Sequence, residues 1–316
     1  MRKSFSYIIC LFLIFLLCGC EASDMPDDKP EETSKEAGTT EVTDSSDELY
    51  REHQELTGTE ADFDENEILR VSLLDVGLEN VIIKSVCQGE LDSDFFGTVC
   101  LLADDRYGGS SIPADHYLAI VSKDKIIVKD TSAWKDQGCY SGYIELHDFD
   151  GDSDNEIVLQ EIVGMTGGAG SYLSRVFDFK DGEIIEIFSS LDSEEYYRHI
   201  DTGFSIKLLD NHRFEIKNSI TGYSETFQAE QKSEEYFKWW YTDKGELKKD
   251  STIMVDSFAE FVPVDIDGDY VYEIKCKQYV SLIGHSDGIG WANTVLKYNI
   301  ELECFEIVEA SFEPFR

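Results

Sequence analysis

Two short acidic stretches contain the residues best suited to chemistry. One reads DFDGDSDNEI, at 148–157, and the other reads DIDGDYVYEI, at 265–274. They lie 117 residues apart, and the carboxylates at positions 1, 3, 5 and 9 coincide. Carboxylates crowded into one turn raise each other's pKa unless a cation compensates them. Ca²⁺ is a cation of that kind, since it takes about six to eight oxygen ligands and needs several carboxylates directed at one centre.

We therefore predict calcium as the cofactor of two equivalent loops. An EF-hand is excluded, because position 12 is Leu159 or Cys276 where an EF-hand needs glutamate. The alternative is a pair of metal-free turns, since Asp and Gly form turns without any ion. The predicted metal ligands are Asp148, Asp150, Asp152, Asp154 and Glu156 in loop 1 and Asp265, Asp267, Asp269, Val271 and Glu273 in loop 2.

A second landmark recurs in the same order after each acidic stretch. The segments GMTGGAG, at 164–170, and GHSDGIG, at 284–290, share three glycines at an offset of 120. Such glycines are typical of hairpins that need a positive φ angle. Because the two glycine loops are equivalent, they could also line a shared rim for a ligand. The candidate rim residues are Gly168, Gly170, His285, Gly288 and Trp240, and core packing is the alternative for Trp240.

The elements that must hold these loops are short strands. From Asp62 onward the chain alternates β-branched or aromatic runs with Gly, Asp and Ser turns, and no long segment has a helical period. This pattern predicts an all-β domain of about sixteen strands, among them YFKWWYT at 236–242. The repeated landmarks divide it into two similar halves, 63–195 and 196–316.

The pattern D-x-D-G-D-x-x-x-E-I between strands resembles the repeat of FG-GAP/VCBS proteins, and the chain resembles lipoproteins of Gram-positive bacteria that carry such repeats. The resemblance implies an integrin-type β-propeller with calcium in these loops, here of about four blades or a partial propeller. Two departures are visible. The family often has glycine at loop position 6, where this chain has Ser153 and Tyr270, and the FG-GAP sequence itself is not evident.

The N-terminus predicts export and anchoring. A basic start is followed by an apolar run from Tyr7 to Leu17, which is too short to span a membrane and reads as a signal peptide over 1–20. The residues Leu17 to Cys20 resemble a lipobox, which implies lipid on Cys20 and a location on the extracellular face of a Gram-positive membrane. An ordinary secretory signal is the alternative. The acidic, Ser- and Thr-rich segment 21–62 is predicted to be a disordered tether.

Composition limits the partners. The 65 acidic residues against 27 basic ones exclude nucleic acid, which needs a cationic footprint. Five cysteines remain after Cys20, an odd number without a zinc pattern, and buried free thiols are favoured over disulfides. We expect a monomeric binding or scaffold module for extracellular protein or glycan. The alternative is a cell-envelope enzyme acting on polysaccharide at the rim near the glycine loops, and no catalytic residue is assigned.

Overall fold

The structure is a computed structural model, and all its described residues lie within Thr59–Arg316. The described residues are 81–93, 95–104, 115–122, 125–131, 139, 141–162, 172–191, 199–228, 238, 240–248, 254–281 and 288–315. The predicted signal peptide, Cys20 and the tether lie outside them. Within them, no helix has the length and apolar character needed to cross a membrane.

The first half of the domain forms two four-stranded sheets. Sheet I contains β1 (Val81–Asp92), β2 (Phe95–Asp104), β3 (His116–Val121) and β4 (Ile126–Asp130). Sheet II contains β5 (Ser141–His147), β6 (Glu156–Ile162), β7 (Tyr172–Lys180) and β8 (Glu183–Ser189). In both sheets each strand pairs antiparallel with the next one along the chain, as short connections favour.

The second half repeats this arrangement with one strand fewer. Sheet III contains β9 (Phe204–Leu209), β10 (Arg213–Asn218) and β11 (Ser224–Gln228). Sheet IV contains β12 (Met254–Val264), β13 (Glu273–Ser281), β14 (Gly288–Asn299) and β15 (Cys304–Pro314). The described residues thus form four antiparallel sheets, and the prediction of an all-β domain is confirmed.

One predicted strand is wrong. In the segment YFKWWYT, Lys238 and Trp240 have helical backbone, and Tyr241 makes an isolated bridge to Leu247. The aromatic residues suggested a strand because they favour pleated surfaces. Here Trp240 and Tyr241 are buried in a cluster that joins sheets III and IV, so tertiary packing determines the local backbone.

Sheet II is covered on both faces. On β6, Ile157 and Leu159 join a cluster with sheet I, whereas Val158 joins a cluster with Phe258 and Phe261 of sheet IV. Because successive side chains point to opposite faces of a strand, β6 is buried almost throughout. A third cluster packs sheet III against sheet IV. Sheets I, II and IV therefore pack in that order. Sheet III contacts the same face of sheet IV as sheet II does, because the β13 residues of the two clusters lie an even number of positions apart along the strand.

The five described cysteines are free. Cys100, Cys139 and Cys276 are buried, and Cys87 and Cys304 are partly buried. Burial raises the pKa of the Cys139 and Cys276 thiols, which keeps them protonated in the metal-free protein. These free cysteines agree with the prediction from the sequence, which favoured buried thiols over disulfides.

Candidate metal loops

Loop 1 joins β5 to β6 and is organised by its first aspartate. Asp148 Oδ1 accepts a hydrogen bond from Gly151 N at 2.6 Å, and its Oδ2 accepts one from Ser153 N at 3.0 Å. The φ angles of Gly151 and Ser153 are 80° and 78°. These left-handed conformations turn the chain sharply around the Asp148 carboxylate.

Loop 2 joins β12 to β13 and reproduces this geometry. Asp265 Oδ1 accepts from Gly268 N at 2.7 Å, and its Oδ2 accepts from Tyr270 N at 3.2 Å. The φ angles of Gly268 and Tyr270 are 82° and 70°. A tyrosine at such an angle is strained, because only residues without a Cβ enter this region freely. Position 6 thus needs a positive φ in both loops, although neither has the glycine typical of the FG-GAP/VCBS repeat.

The glutamate at position 9 closes each loop from the following strand. Glu156 Oε2 accepts a hydrogen bond from Phe149 N at 2.8 Å, and Glu273 Oε2 accepts one from Ile266 N at 3.3 Å. Both glutamates are nearly buried, with relative exposures of 4% and 5%. Each therefore holds one oxygen on the loop backbone, so that only its second oxygen can take another partner.

The aspartate at position 5 orders the second part of each loop. Asp152 Oδ1 accepts from Asp154 N at 2.9 Å, and Asp269 Oδ1 accepts from Val271 N, also at 2.9 Å. The two predicted ligand residues at position 7 therefore occupy the same place in their loops, although one is acidic and the other apolar. The shared hydrogen bonds make loops 1 and 2 structural equivalents at the level of single atoms.

The carboxylates converge in both loops. Asp148, Asp150 and Glu156 each offer an oxygen within 4.8 Å of the others. In loop 2, oxygens of Asp265, Asp267 and Asp269 lie within the same distance of one another. A set of three carboxylate oxygens fits a hard cation such as Ca²⁺, whose ligand distances are about 2.3–2.6 Å, and water and backbone carbonyls commonly supply the remaining ligands.

The negative charge of loop 1 is uncompensated among the described residues. Burial raises the pKa of Glu156 to about 9, and the charges of Asp150, Asp178 and Asp148 act in the same direction. Burial also raises the pKa of Asp150 to about 6, with help from Asp152 and Asp148. Glu156 and Asp150 therefore retain their protons more readily than they would in water, as expected for carboxylates of a cation site without its ion.

Loop 2 differs from loop 1 in one decisive contact. Lys297 Nζ, on β14, lies 2.6 Å from Glu273 Oε1. The corresponding position on β7 is Asp178, because the register pairs Ile157 with Phe177 in sheet II and Ile274 with Leu296 in sheet IV. Loop 1 thus has an extra carboxylate where loop 2 has an ammonium group. The sequence prediction missed Asp178 and Lys297. Aligning β7 with β14 at an offset of 119 residues would have placed these two residues at equivalent positions.

The two loops also touch. Tyr272 N, at the end of loop 2, donates a hydrogen bond to Asp148 O at 2.8 Å, and the Tyr272 ring lies 4.5 Å from the His147 ring. At the equivalent position of loop 1, Asn155 N donates to Glu90 O at 3.0 Å, near the end of β1. Each loop is therefore held by a backbone carbonyl at or near the end of the first strand of the preceding sheet.

Of the two glycine loops the structure describes only residues 288–290, so Gly168, Gly170 and His285 fall outside the described residues. Gly288 and Gly290 belong to β14, and neither has a positive φ angle, so the predicted reason for these two glycines is wrong. A Cβ atom on Gly290 would overlap the Phe312 ring and the Glu313 carbonyl oxygen, and one on Gly288 would overlap the Tyr279 hydroxyl. Close approach of neighbouring groups is what requires glycine here.

Trp240 does not lie on a rim. Its relative exposure is 7%, and it packs with Leu208, Phe214 and Phe312 between sheets III and IV. It therefore takes the core role that the sequence left open as its alternative, and its ring is not available to stack on a ligand.

Comparison with known protein families finds similarity in the second half of the domain. Residues 202–312 match the family described as the YybI C-terminal domain, and this segment contains sheet III and loop 2. The chain is also 26% identical over 163 residues to the uncharacterized protein YybI of Bacillus subtilis (strain 168), covering 51% of this chain and 58% of that relative. The chain thus spans little more than half the length of YybI. No solved structure matches.

Proposed function

We propose that this chain is a membrane-anchored extracellular binding or scaffold module for protein or glycan, stabilised by calcium. The observation that carries this proposal is the likeness of the two acidic loops, which share hydrogen bonds and left-handed positions. Each loop also brings three carboxylates together, at positions 1, 3 and 9 in loop 1 and at positions 1, 3 and 5 in loop 2. A cation ligand explains this better than turn propensity alone, because the arrangement concentrates like charges at a cost.

We further propose that the sheets form a partial β-propeller. Sheets I, II and IV follow one another with the same contact, in which an N–H from Asn155 or Tyr272 reaches a carbonyl of the preceding sheet. Four-stranded antiparallel meanders stacked face to face are the blades of propellers. In this proposal sheets I, II and IV are consecutive blades, and the three-stranded sheet III is an addition that packs against sheet IV.

The proposed anchor is the lipid on Cys20. It rests on the sequence pattern alone, because Cys20 lies outside the described residues. Replacing Cys20 by Ala should release the protein from the membrane fraction or leave its signal peptide uncleaved. If the Cys20→Ala protein stays in the membrane fraction and is processed as before, the proposed anchor is wrong.

The binding role is tested with defined extracellular ligands. The immobilised protein is exposed to purified cell-wall polysaccharides and to secreted proteins, in millimolar calcium and in EDTA. We expect retention of at least one class of ligand in calcium and its loss in EDTA, together with loss in the Asp148→Asn, Asp150→Asn variant. Cleavage of a polysaccharide without stable retention would favour the enzyme alternative and contradict the scaffold proposal.

A further inference from the structure

A second cluster of chemical groups lies at the other end of β6 from loop 1. Glu161, on β6, has its Oε1 2.7 Å from Nδ1 of His116, on β3 of sheet I. The Cys139 thiol is hydrogen-bonded to Glu161, and ligand atoms of His116, Cys139 and Glu161 lie within 4.8 Å of one another. His116 and Glu161 have relative exposures of 0%, and Cys139 has 1%. We call these three residues the His–Cys–Glu cluster.

Arg175 holds the other side of this cluster. Its Nη2 contacts Glu161 Oε2 and donates a hydrogen bond to Thr131 O at 2.5 Å. Burial would raise the pKa of Glu161, but the Arg175 charge and the His116 hydrogen bond outweigh burial and hold that pKa below its ordinary value. The two oxygens of Glu161 thus have different partners inside the domain: Oε2 is occupied by Arg175, and Oε1 faces the imidazole and the thiol.

The equivalent position in sheet IV shows that the fold does not require these charges. Gln278 corresponds to Glu161, and Thr294 corresponds to Arg175, by the register of β13 and β14. Gln278 is also buried, and neutral partners satisfy it: Oε1 accepts from the Thr202 hydroxyl at 2.6 Å, and Nε2 donates to Asp256 O at 2.8 Å. Buried charges cost more to desolvate than neutral amides. A charged cluster at this position therefore indicates a role beyond packing.

We propose that His116, Cys139 and Glu161 bind a transition-metal ion of the zinc class. Imidazole, thiolate and carboxylate are the three ligand types that zinc uses, and three protein ligands leave a fourth position of a tetrahedral ion open. The ion displaces the Cys139 thiol proton, which leaves to solvent. It also replaces the hydrogen bond between His116 Nδ1 and Glu161 Oε1: when Nδ1 binds the ion, its proton leaves and Nε2 carries the proton of the neutral ring. Arg175 keeps Oε2 of Glu161 and so orients Oε1 toward the ion, as an outer partner of a metal ligand does.

This site is chemically distinct from the acidic loops. A thiolate and an imidazole favour zinc, cobalt or copper over calcium, which prefers oxygen ligands alone. The proposal therefore does not rest on calcium binding, and either site can fail its test independently.

The test uses the full chain in detergent and Co²⁺ as a spectroscopic probe. A Cys ligand gives Co²⁺ an intense near-ultraviolet charge-transfer band that oxygen ligands do not give. We expect this band to saturate at one Co²⁺ per chain and to disappear on adding Zn²⁺, but to persist in several millimolar calcium. Cys139→Ser should abolish the band, whereas Cys276→Ser, which removes a buried thiol of sheet IV, should leave it unchanged.

A second pair of variants tests the carboxylate. Glu161→Gln should weaken Zn²⁺ binding, measured by competition with a chromophoric chelator, by about 10-fold or more. The matched change Gln278→Glu should leave it unaltered. Wild-type protein without a charge-transfer band, or a Cys139→Ser protein that keeps it while its circular dichroism is native, would overturn the proposal and leave the cluster as an ion-pair network.

Discussion

Glu156 and Glu273 occupy the same position of equivalent loops but have opposite neighbours. Glu156 lies near Asp178, which adds negative charge. Glu273 Oε1 instead accepts a hydrogen bond from Lys297 Nζ at 2.6 Å. A lysine at this place supplies locally the positive charge that a metal ion would bring. Loop 1 should therefore bind calcium more tightly than loop 2.

Lys297→Gln should strengthen calcium binding at loop 2. Two unit charges about 4 Å apart repel by roughly 1 kcal/mol even at the dielectric constant of water, and the double charge of Ca²⁺ raises this to roughly 2 kcal/mol. Because Lys297 is 45% exposed, salt screens part of this repulsion, and we expect the Kd, measured by isothermal titration, to fall by at least about fivefold. The converse variant Asp178→Lys should abolish binding at loop 1. Equal calcium binding in wild type and Lys297→Gln would show that the ammonium group does not control loop 2.

Calcium-dependent stability should increase with pH. The pKa of Glu156 is raised from 4.5 to about 9, and that of Asp150 from 3.8 to about 6. In the metal-free protein their protonated forms contribute stability that is complete below about pH 4 and is lost as pH rises through these values. Calcium needs the ionised forms, so protons compete with it at low pH. The rise in melting temperature on adding calcium should be larger at pH 8 than at pH 5.

Glu156→Gln is the control for this pH effect. The amide cannot ionise, so the metal-free variant should lose less stability between pH 5 and pH 8 than the wild type does. If calcium raises the melting temperature equally at both pH values, the buried carboxylates of loop 1 are not its ligands.

At the scale of elements, the interface between sheets II and IV depends on the outward residues of β6. Val158 and Gln160 are buried there, and Gln160 Nε2 donates to Phe261 O at 2.6 Å. The equivalent residues of β13, Lys275 and Lys277, lie on the opposite face of sheet IV, and Lys277 pairs with Glu260 at 3.0 Å. At these two strand positions, β6 has an apolar and an amide side chain where sheet IV packs against it. At the same positions β13 has two lysines, on a face against which no described sheet packs.

Val158→Lys should destabilise the domain by about 3 kcal/mol or more, because it buries a charge without a partner. The matched change Lys275→Val lies on an exposed position and should alter stability by less than about 0.5 kcal/mol. Both values are measured by urea denaturation. Similar stability of the two variants would show that β6 does not pack against sheet IV in solution.

The local sequence pattern was sufficient to predict most of the strands and the position of the two acidic loops. Alternating apolar residues and Asp–Gly turns depend on interactions between residues that are close in sequence. In both loops the first aspartate accepts a hydrogen bond from the backbone of its own loop, as the spacing suggests. The segment containing Trp240 was misread, because a core formed by two sheets sets its backbone. Asp178 and Lys297 come from adjacent strands, and His116 comes from another sheet. Such contacts depend on register and packing order, which a single sequence does not specify.

At the scale of the whole molecule, the loops link successive sheets. Asp148 contributes its carboxylate to loop 1, while its carbonyl accepts the Tyr272 N–H of loop 2. A cation at loop 1 would therefore also order the contact between sheets II and IV. Calcium should act on the unfolding of the entire domain rather than on one turn, because the loop joins two of its core interfaces.

The most direct test of the calcium proposal is the melting temperature of the protein in calcium and in EDTA. A Kd of about 10⁻⁴–10⁻³ M, typical of extracellular modules, gives roughly 0.5–2 kcal/mol per loop at about 2 mM calcium, or a rise of a few degrees. The Asp148→Asn, Asp150→Asn variant should lose most of this rise, and the Asp265→Asn, Asp267→Asn variant should lose less, because Lys297 already occupies loop 2. An identical wild-type melting temperature in EDTA and in several millimolar calcium would contradict the proposal and leave the carboxylates as turn formers.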